Sequence, residues 1–110
     1  MMSEPISITV SLTINPGDEA EAEAAADAIA TSAATITGFA MTRDWAPGGV
    51  LALSYRGDSQ AAVDQHLADH GTMYARFSPL GAVDRVSIGG PVDDATVAAF
   101  GRLSPSVVRV

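Results

Sequence analysis

Two histidines, His66 and His70, stand four residues apart. On a helix that spacing puts both side chains on one face. Two chemistries follow. One is a general base or substrate-orienting group in a pocket. The other is a zinc pair, since histidines at this spacing can share a metal. The zinc-protease signature is incomplete, because Leu67 stands where its glutamate would be and a third ligand would have to come from Asp69 or elsewhere. A structural or surface role accounts for the same two residues without any chemistry. Arg43 lies between Met41 and Trp45 at alternate positions. An arginine on an apolar strand face must be paired, must hold an anion such as a substrate oxyanion, or must reach past the face to water. Asp84 is a candidate partner for it. Trp45, Tyr55, Tyr74 and Phe77 supply aromatic surface for a pocket, or simply for a core; buried tyrosine and tryptophan need a partner for the polar tip. There is no Ser-His-Asp order, nucleophile elbow, phosphate loop or dinucleotide fingerprint.

These residues need a frame, and the element pattern predicts one. Ile6, Ile8, Val10, Leu12 and Ile14 are apolar, while Ser7, Thr9, Ser11 and Thr13 between them are small and polar. A period of two marks a strand with one buried face. Asn15-Pro16-Gly17-Asp18 ends it, with Asn15 as helix cap, Pro16 at the first helical position and the acids at the positive end of the dipole. The first helix runs to about Ser32 or Ala34 on a stripe of Ala22, Ala25, Ala26, Ile29, Ala33 and Ile36; Glu19, Glu23 and Asp27 recur every four residues on its wet side. Phe39 to Trp45 and Val50 to Arg56 read as a hairpin about Ala46-Pro47-Gly48-Gly49. Leu51, Leu53 and Tyr55 share one face of its second strand. Helix two starts at Gly57-Asp58-Ser59 and continues to Asp69 or His70, with Val63, His66, Leu67 and His70 on one side. A short helical piece spans Thr72 to Phe77, a strand covers Val83 to Ile88, and a last helix starts at Asp93 or Asp94 and runs to about Phe100. The tail, Ser106 to Val110, has strand character and is suited to a sheet edge, its own or another subunit's.

Strand, helix and strand therefore occur twice. The doubled unit predicts an α+β fold, a ferredoxin-like βαββαβ sandwich with two helices on one sheet face, and residues 1–110 as a single domain. A chain this size buries roughly two-thirds of its unfolded surface, enough for a core without staples. The open face would present Ser7, Thr9, Ser11, Thr13, Ala40, Thr42, Ala52 and Ser54. A face meant for bulk water usually carries lysine and glutamate, so this pattern suggests cover by the same face of a second copy, a homodimer through the sheet. Threonine's strand preference is the plainer account of the same residues.

Composition narrows the classes. The formal net charge is −7 and all six basic residues are arginine, which disfavours nucleic acid and anionic membranes as partners. No apolar run approaches the roughly 20 residues of a membrane span, and the N-terminus lacks secretory signal features. The absence of cysteine removes disulfides and thiolate chemistry and fits a cytoplasmic setting. The alanine, arginine and aspartate bias has the look of a GC-rich bacterial coding sequence.

The segment Leu51-Ala52-Leu53-Ser54-Tyr55-Arg56-Gly57-Asp58, then Ala61-Ala62-Val63-Asp64-Gln65-His66-Leu67, then Tyr74-Ala75-Arg76-Phe77 and Val86-Ser87-Ile88-Gly89-Gly90-Pro91-Val92 carry a resemblance in their order. From Ile6 to about Leu103 the chain resembles the dimeric α+β barrel superfamily, in particular its antibiotic-biosynthesis-monooxygenase-like group. The resemblance implies a dimeric barrel. It also implies an oxygenase-like enzyme that acts on a small aromatic phenol or quinol and needs no cofactor, metal or flavin. His66 would then be base or orienter and Arg43 would hold the substrate oxyanion, with Trp45, Tyr55, Tyr74 and His70 shaping the substrate site. The superfamily also holds proteins with no known reaction, so a non-catalytic small-molecule-binding or stress-associated dimer stands as the alternative. Its haem-degrading branch uses an Asn, Trp and His set; here the first strand has no asparagine within its alternating run and the single tryptophan is on the second strand.

Overall fold

The computed structural model describes residues 5–70, 76–77, 79–101 and 107–109, without the side chains of residues 69 and 70. The elements are β1 (Ile6–Ile14), α1 (Glu19–Ala33), β2 (Phe39–Ala46), β3 (Val50–Gly57), α2 (Gln60–His70), β4 (Gly81–Gly89), α3 (Asp94–Gly101) and β5 (Val107–Arg109). They form one sheet in the order β2-β3-β1-β4-β5. The first six are the expected βαββαβ series. β1 sits at the centre, antiparallel to both β3 and β4, and none of its aliphatic positions is more than 2% exposed.

Ile6, Ile8, Val10, Leu12 and Ile14 all face the helices and are buried. Burying each stabilises by about 1.5–3 kcal/mol relative to exposure. Across the ladder they meet Tyr55, Leu53 and Leu51 of β3 and Val86 and Ile88 of β4. Ala22, Ala25, Ala26, Ile29 and Ala33 form the buried stripe of α1, so that helix lies close to the sheet with little side-chain volume between.

One boundary differs from the sequence reading. Helix α1 begins at Glu19, not at Pro16. Gly17 has φ of +93°, a left-handed conformation no helix start accepts. Asn15 to Asp18 is therefore a turn closed by Asp18 N–H donating to the Asn15 carbonyl, with Pro and Gly in their favoured central places. Of the expected helical piece at Thr72 to Phe77, only Arg76 and Phe77 are described, as a single tight turn; the rest lies outside the described residues. The tail strand β5 joins its own sheet, parallel to β4. A parallel neighbour needs a crossover, and α3 provides it while contributing Phe100 to the core.

Candidate functional site

His66 is the most deeply buried polar side chain of the described residues, 1% exposed. Helix α2 turns Ala62, Val63 and His66 onto the sheet, His66 standing four residues after Ala62 and three after Val63 on one face. Gly57 lets the helix come this close: a Cβ there would lie 2.9 Å from Val63 Cγ2. The imidazole stacks on the ring of Phe39, with centroids 4.6 Å apart and planes 20° from parallel. Tyr55 lies 5.4 Å from the same imidazole and 5.8 Å from Phe39. These three rings converge from α2, β2 and β3 because Phe39 is paired with Gly57 and Met41 with Tyr55 in the ladder. The arrangement is a desolvated aromatic cluster holding one group able to take a proton.

Arg43 and Trp45 continue the same face of β2 toward the hairpin turn, but they do not join that cluster. Trp45 pairs with Leu51, whereas Met41 pairs with Tyr55, so about 13 Å of strand separates the indole from the tyrosine's position. Both are tied to α1 instead. Arg43 Nε donates to Glu23 Oε1 at 2.7 Å and Nη2 to Asp27 Oδ1 at 2.9 Å; Trp45 Nε1 donates to Glu23 Oε2 at 2.9 Å. The match is one of spacing. Alternate strand residues are about 7 Å apart and helical residues at i, i+4 about 6 Å, so two donors and two carboxylates interlock. Asp84, the partner considered from sequence, is on the opposite sheet face and accepts a hydrogen bond from Thr13 Oγ1. Glu23 and Asp27 are the residues the sequence reading left as solvated; their four-residue repeat was the available signal.

This cluster has a pH consequence. The Arg43 guanidinium, then the Trp45 indole N–H, hold the Glu23 carboxyl below its ordinary range. A carboxylate with a depressed folded pKa contributes stability above its unfolded pKa and loses it as pH falls through the folded one. The pair is partly exposed, so its worth is about 0.2–1 kcal/mol. Trp45 is the sole tryptophan and 39% exposed. Its fluorescence is expected to change as pH falls below the usual glutamate range, and Glu23→Gln should abolish that step while costing no more than about 1 kcal/mol in a denaturant titration. An unchanged step in Glu23→Gln would place the titration elsewhere.

His70 ends α2 with its side chain outside the described set, and Tyr74 lies outside the described residues altogether. Among the described residues no three metal-ligating side chains cluster. Two open grooves mark the surface. One, of about 390 Å³, is lined by Thr35, Thr37, Ser59, Ala62 and Gln65; the other, of about 280 Å³, by Glu21, Arg76, Pro79 and Leu80. Neither is lined by His66, Tyr55 or Arg43. No helix of the described residues is long and apolar enough to cross a membrane.

No family profile and no curated protein matches this sequence. Solved structures do match its shape. Rv0793 from Mycobacterium tuberculosis aligns at 23% identity and a TM-score of 0.70 over 84% of this chain and 99% of its own. MupZ from Pseudomonas fluorescens aligns at 12% and 0.71, over 97% and 90%. A provisionally named antibiotic biosynthesis monooxygenase from Caulobacter crescentus aligns at 20% and 0.68, over 84% and 93%. At these identities the likeness is one of fold, and it spans nearly the full length of each relative. The chain has the ferredoxin-like α+β fold of the antibiotic-biosynthesis-monooxygenase-like proteins.

Proposed function

We propose that this protein is a monooxygenase-like enzyme of the cytoplasm. On this reading it uses dioxygen directly on a small phenol or quinol, without a metal, flavin or other cofactor. The observation that carries the reading is His66, a proton-accepting group stacked on Phe39 beside Tyr55 and shielded from water. A planar aromatic substrate could share that stack. His66 would take the phenol proton and raise the electron density of the ring. Dioxygen would then receive four electrons from the substrate: one oxygen atom becomes a quinone carbonyl and the other leaves as water. Arg43 would hold the substrate oxyanion at the rim once Glu23 yields one of its contacts, and Trp45 would supply an aromatic wall there. His70 and Tyr74 remain proposed contributors from the end of α2 and beyond it.

We further propose that the working unit is a homodimer formed through the open sheet face. Thr9, Ser11, Ala52, Ser54 and Ser87 are small, uncharged and central on that face. They would let a second sheet approach to the usual packing distance of about 10 Å.

A second reading has its own support. His66 is buried and lines neither surface groove, which suits a non-catalytic small-molecule-binding or stress-associated dimer. Oxygen-electrode measurements on the metal-free protein, with phenol, hydroquinone and naphthol as substrates in air, separate the two. Oxygen uptake matched by quinone formation is expected. Binding of these compounds with uptake no faster than in buffer would overturn the enzyme reading and leave the binding one.

A further inference from the structure

Of the two surface grooves, the one of about 390 Å³ falls within the roughly 300–1,000 Å³ of small-molecule sites. It lies between the turn after α1 and the start of α2, and every residue lining it is uncharged. The rim is polar. Thr35, Thr37, Ser59 and Gln65 supply three hydroxyls and an amide. Thr35 Oγ1 donates to the Ser32 carbonyl at 2.7 Å, which leaves its lone pairs to accept. Ser59 Oγ accepts from the Ala62 N–H at 3.3 Å, which leaves its own proton to donate. The floor is apolar. Ile36 and Ala62 are the only buried residues of the lining, 9% and 6% exposed, and both belong to the hydrophobic core. Each leads to one half of the ring stack. The Ile36 carbonyl accepts from the Phe39 N–H at 3.3 Å, and Ala62 stands one helical turn before His66 on the same face of α2.

We propose that a small uncharged phenol or quinol reaches His66 through this groove, and that the Ile36 side chain is the gate that limits its size. This rests on the reading of His66 as a base that meets substrate, and it names the route to that base. Ile36 suits the part because its backbone is held while its side chain belongs to neither a helix nor a strand. Its N–H donates to the Ala33 carbonyl at 3.0 Å. Two residues on, the Gly38 carbonyl accepts from the Asp58 N–H at 2.7 Å, which ties this turn to the segment leading into α2. Rotation of the Ile36 side chain into the groove therefore opens the floor without moving any element. Ala62 has no such freedom, since a methyl group on a helix has no rotamer to change. The lining offers no cation to a carboxylate or phosphate and no carboxylate to an amine. Its hydroxyl rim and aliphatic floor suit a ring that carries hydroxyl groups.

The test follows the ring protons of His66 by NMR while phenol or naphthol is added to the full chain under argon, the His66 signal being the one lost in His66→Phe. Phenol is expected to shift that signal in the parent. Ile36→Ala should improve the binding of naphthol relative to phenol by at least about tenfold, since even one methylene in an apolar pocket decides about 10–200-fold between ligands. Ile36→Val, a one-carbon change that cores tolerate well, should move the same ratio in the same direction by a smaller factor, so the gate stays testable if the alanine variant fails to fold. A His66 signal that phenol leaves unmoved in the parent and in both variants, or a naphthol-to-phenol ratio equal to the parent's in both, would overturn the route. Oxygen uptake by the same proteins separates the underlying reading. Uptake by the parent with an unchanged ratio in the variants sinks the gate and keeps the enzyme, whereas binding that follows residue 36 without uptake keeps the gate and sinks the enzyme.

Discussion

Replacing His66 with phenylalanine is expected to leave a folded protein with oxygen uptake lowered by about 10²–10⁴-fold, the usual worth of a positioned general base. The choice of phenylalanine matters. His66 is fully enclosed and stacked on Phe39, so His66→Ala would open a hole in the core and cost about 2–5 kcal/mol, and lost activity would then say nothing about proton transfer. Phenylalanine restores a ring in the stack, where aromatic pairs contribute about 0.5–1.5 kcal/mol, and removes both nitrogen atoms while adding the small extra volume of a six-membered ring. The measurement is uptake with the best phenol or quinol substrate, set beside the denaturant midpoint of the same variant. A midpoint near that of the parent with uptake within threefold of it would make His66 a packing residue and withdraw the catalytic role. Tyr55→Phe gives a second reading of the same cluster, since it keeps the ring that lies 5.4 Å from His66 and removes one hydroxyl.

The parts of this molecule that were legible in the sequence are those that report on themselves. The alternation of Ile6 to Ile14 needs no neighbour to be read, since a period of two in one strand already names its buried face. The hairpin from Phe39 to Gly57 announces itself through Pro47-Gly48-Gly49. What sequence cannot give is which elements lie over which. Arg43 was visible as a charge on an apolar face, yet its partners depended on α1 crossing β2 so that Glu23 and Asp27 hang over it. Asp84 was as plausible by charge alone and belongs to the other face of the sheet. Trp45 was grouped with Tyr55 because both are aromatic and both sit on helix-facing positions. Only the ladder register shows one beside the turn of the hairpin and the other beneath α2. The His66 stack on Phe39 likewise arises from a strand and a helix far apart in sequence, and Gly57, the residue that lets them meet, looks from sequence like a turn. The helix start was missed for a local reason: Gly17 turns left-handed, and the capping residues read from Asn15 and Pro16 serve that turn instead.

Gly81 is expected to be the least replaceable glycine on the described part of the chain. It opens β4 opposite Ile14, the last residue of β1. A Cβ added there would lie 2.1 Å from the Thr13 carbonyl oxygen, 2.9 Å from Ile14 Cα and 3.0 Å from the Thr13 carbonyl carbon. All three are backbone atoms of the central strand, so no side-chain rotation relieves the overlap. Either β4 moves away from β1 or β1 bends. Both responses strain the neighbouring contact in which Asn15 N–H donates to the Leu80 carbonyl at 2.8 Å. Overpacking in a well-filled site costs about 1–3 kcal/mol when side chains can give way. Here only backbone can, so Gly81→Ala should cost about 3 kcal/mol or more, a drop in Tm of over about 12 °C for a domain of this size. Gly101→Ala is the control. It ends α3 with nothing within 4 Å of the added methyl, and alanine is the better helix former by up to about 1 kcal/mol. Thermal melts of the two variants should therefore separate widely in opposite directions from the parent. A Gly81→Ala melt within two or three degrees of the parent would mean that β1 and β4 are not held this closely. It would also loosen the β1–β4 register in which Val10 faces Val86 and Ile8 faces Ile88.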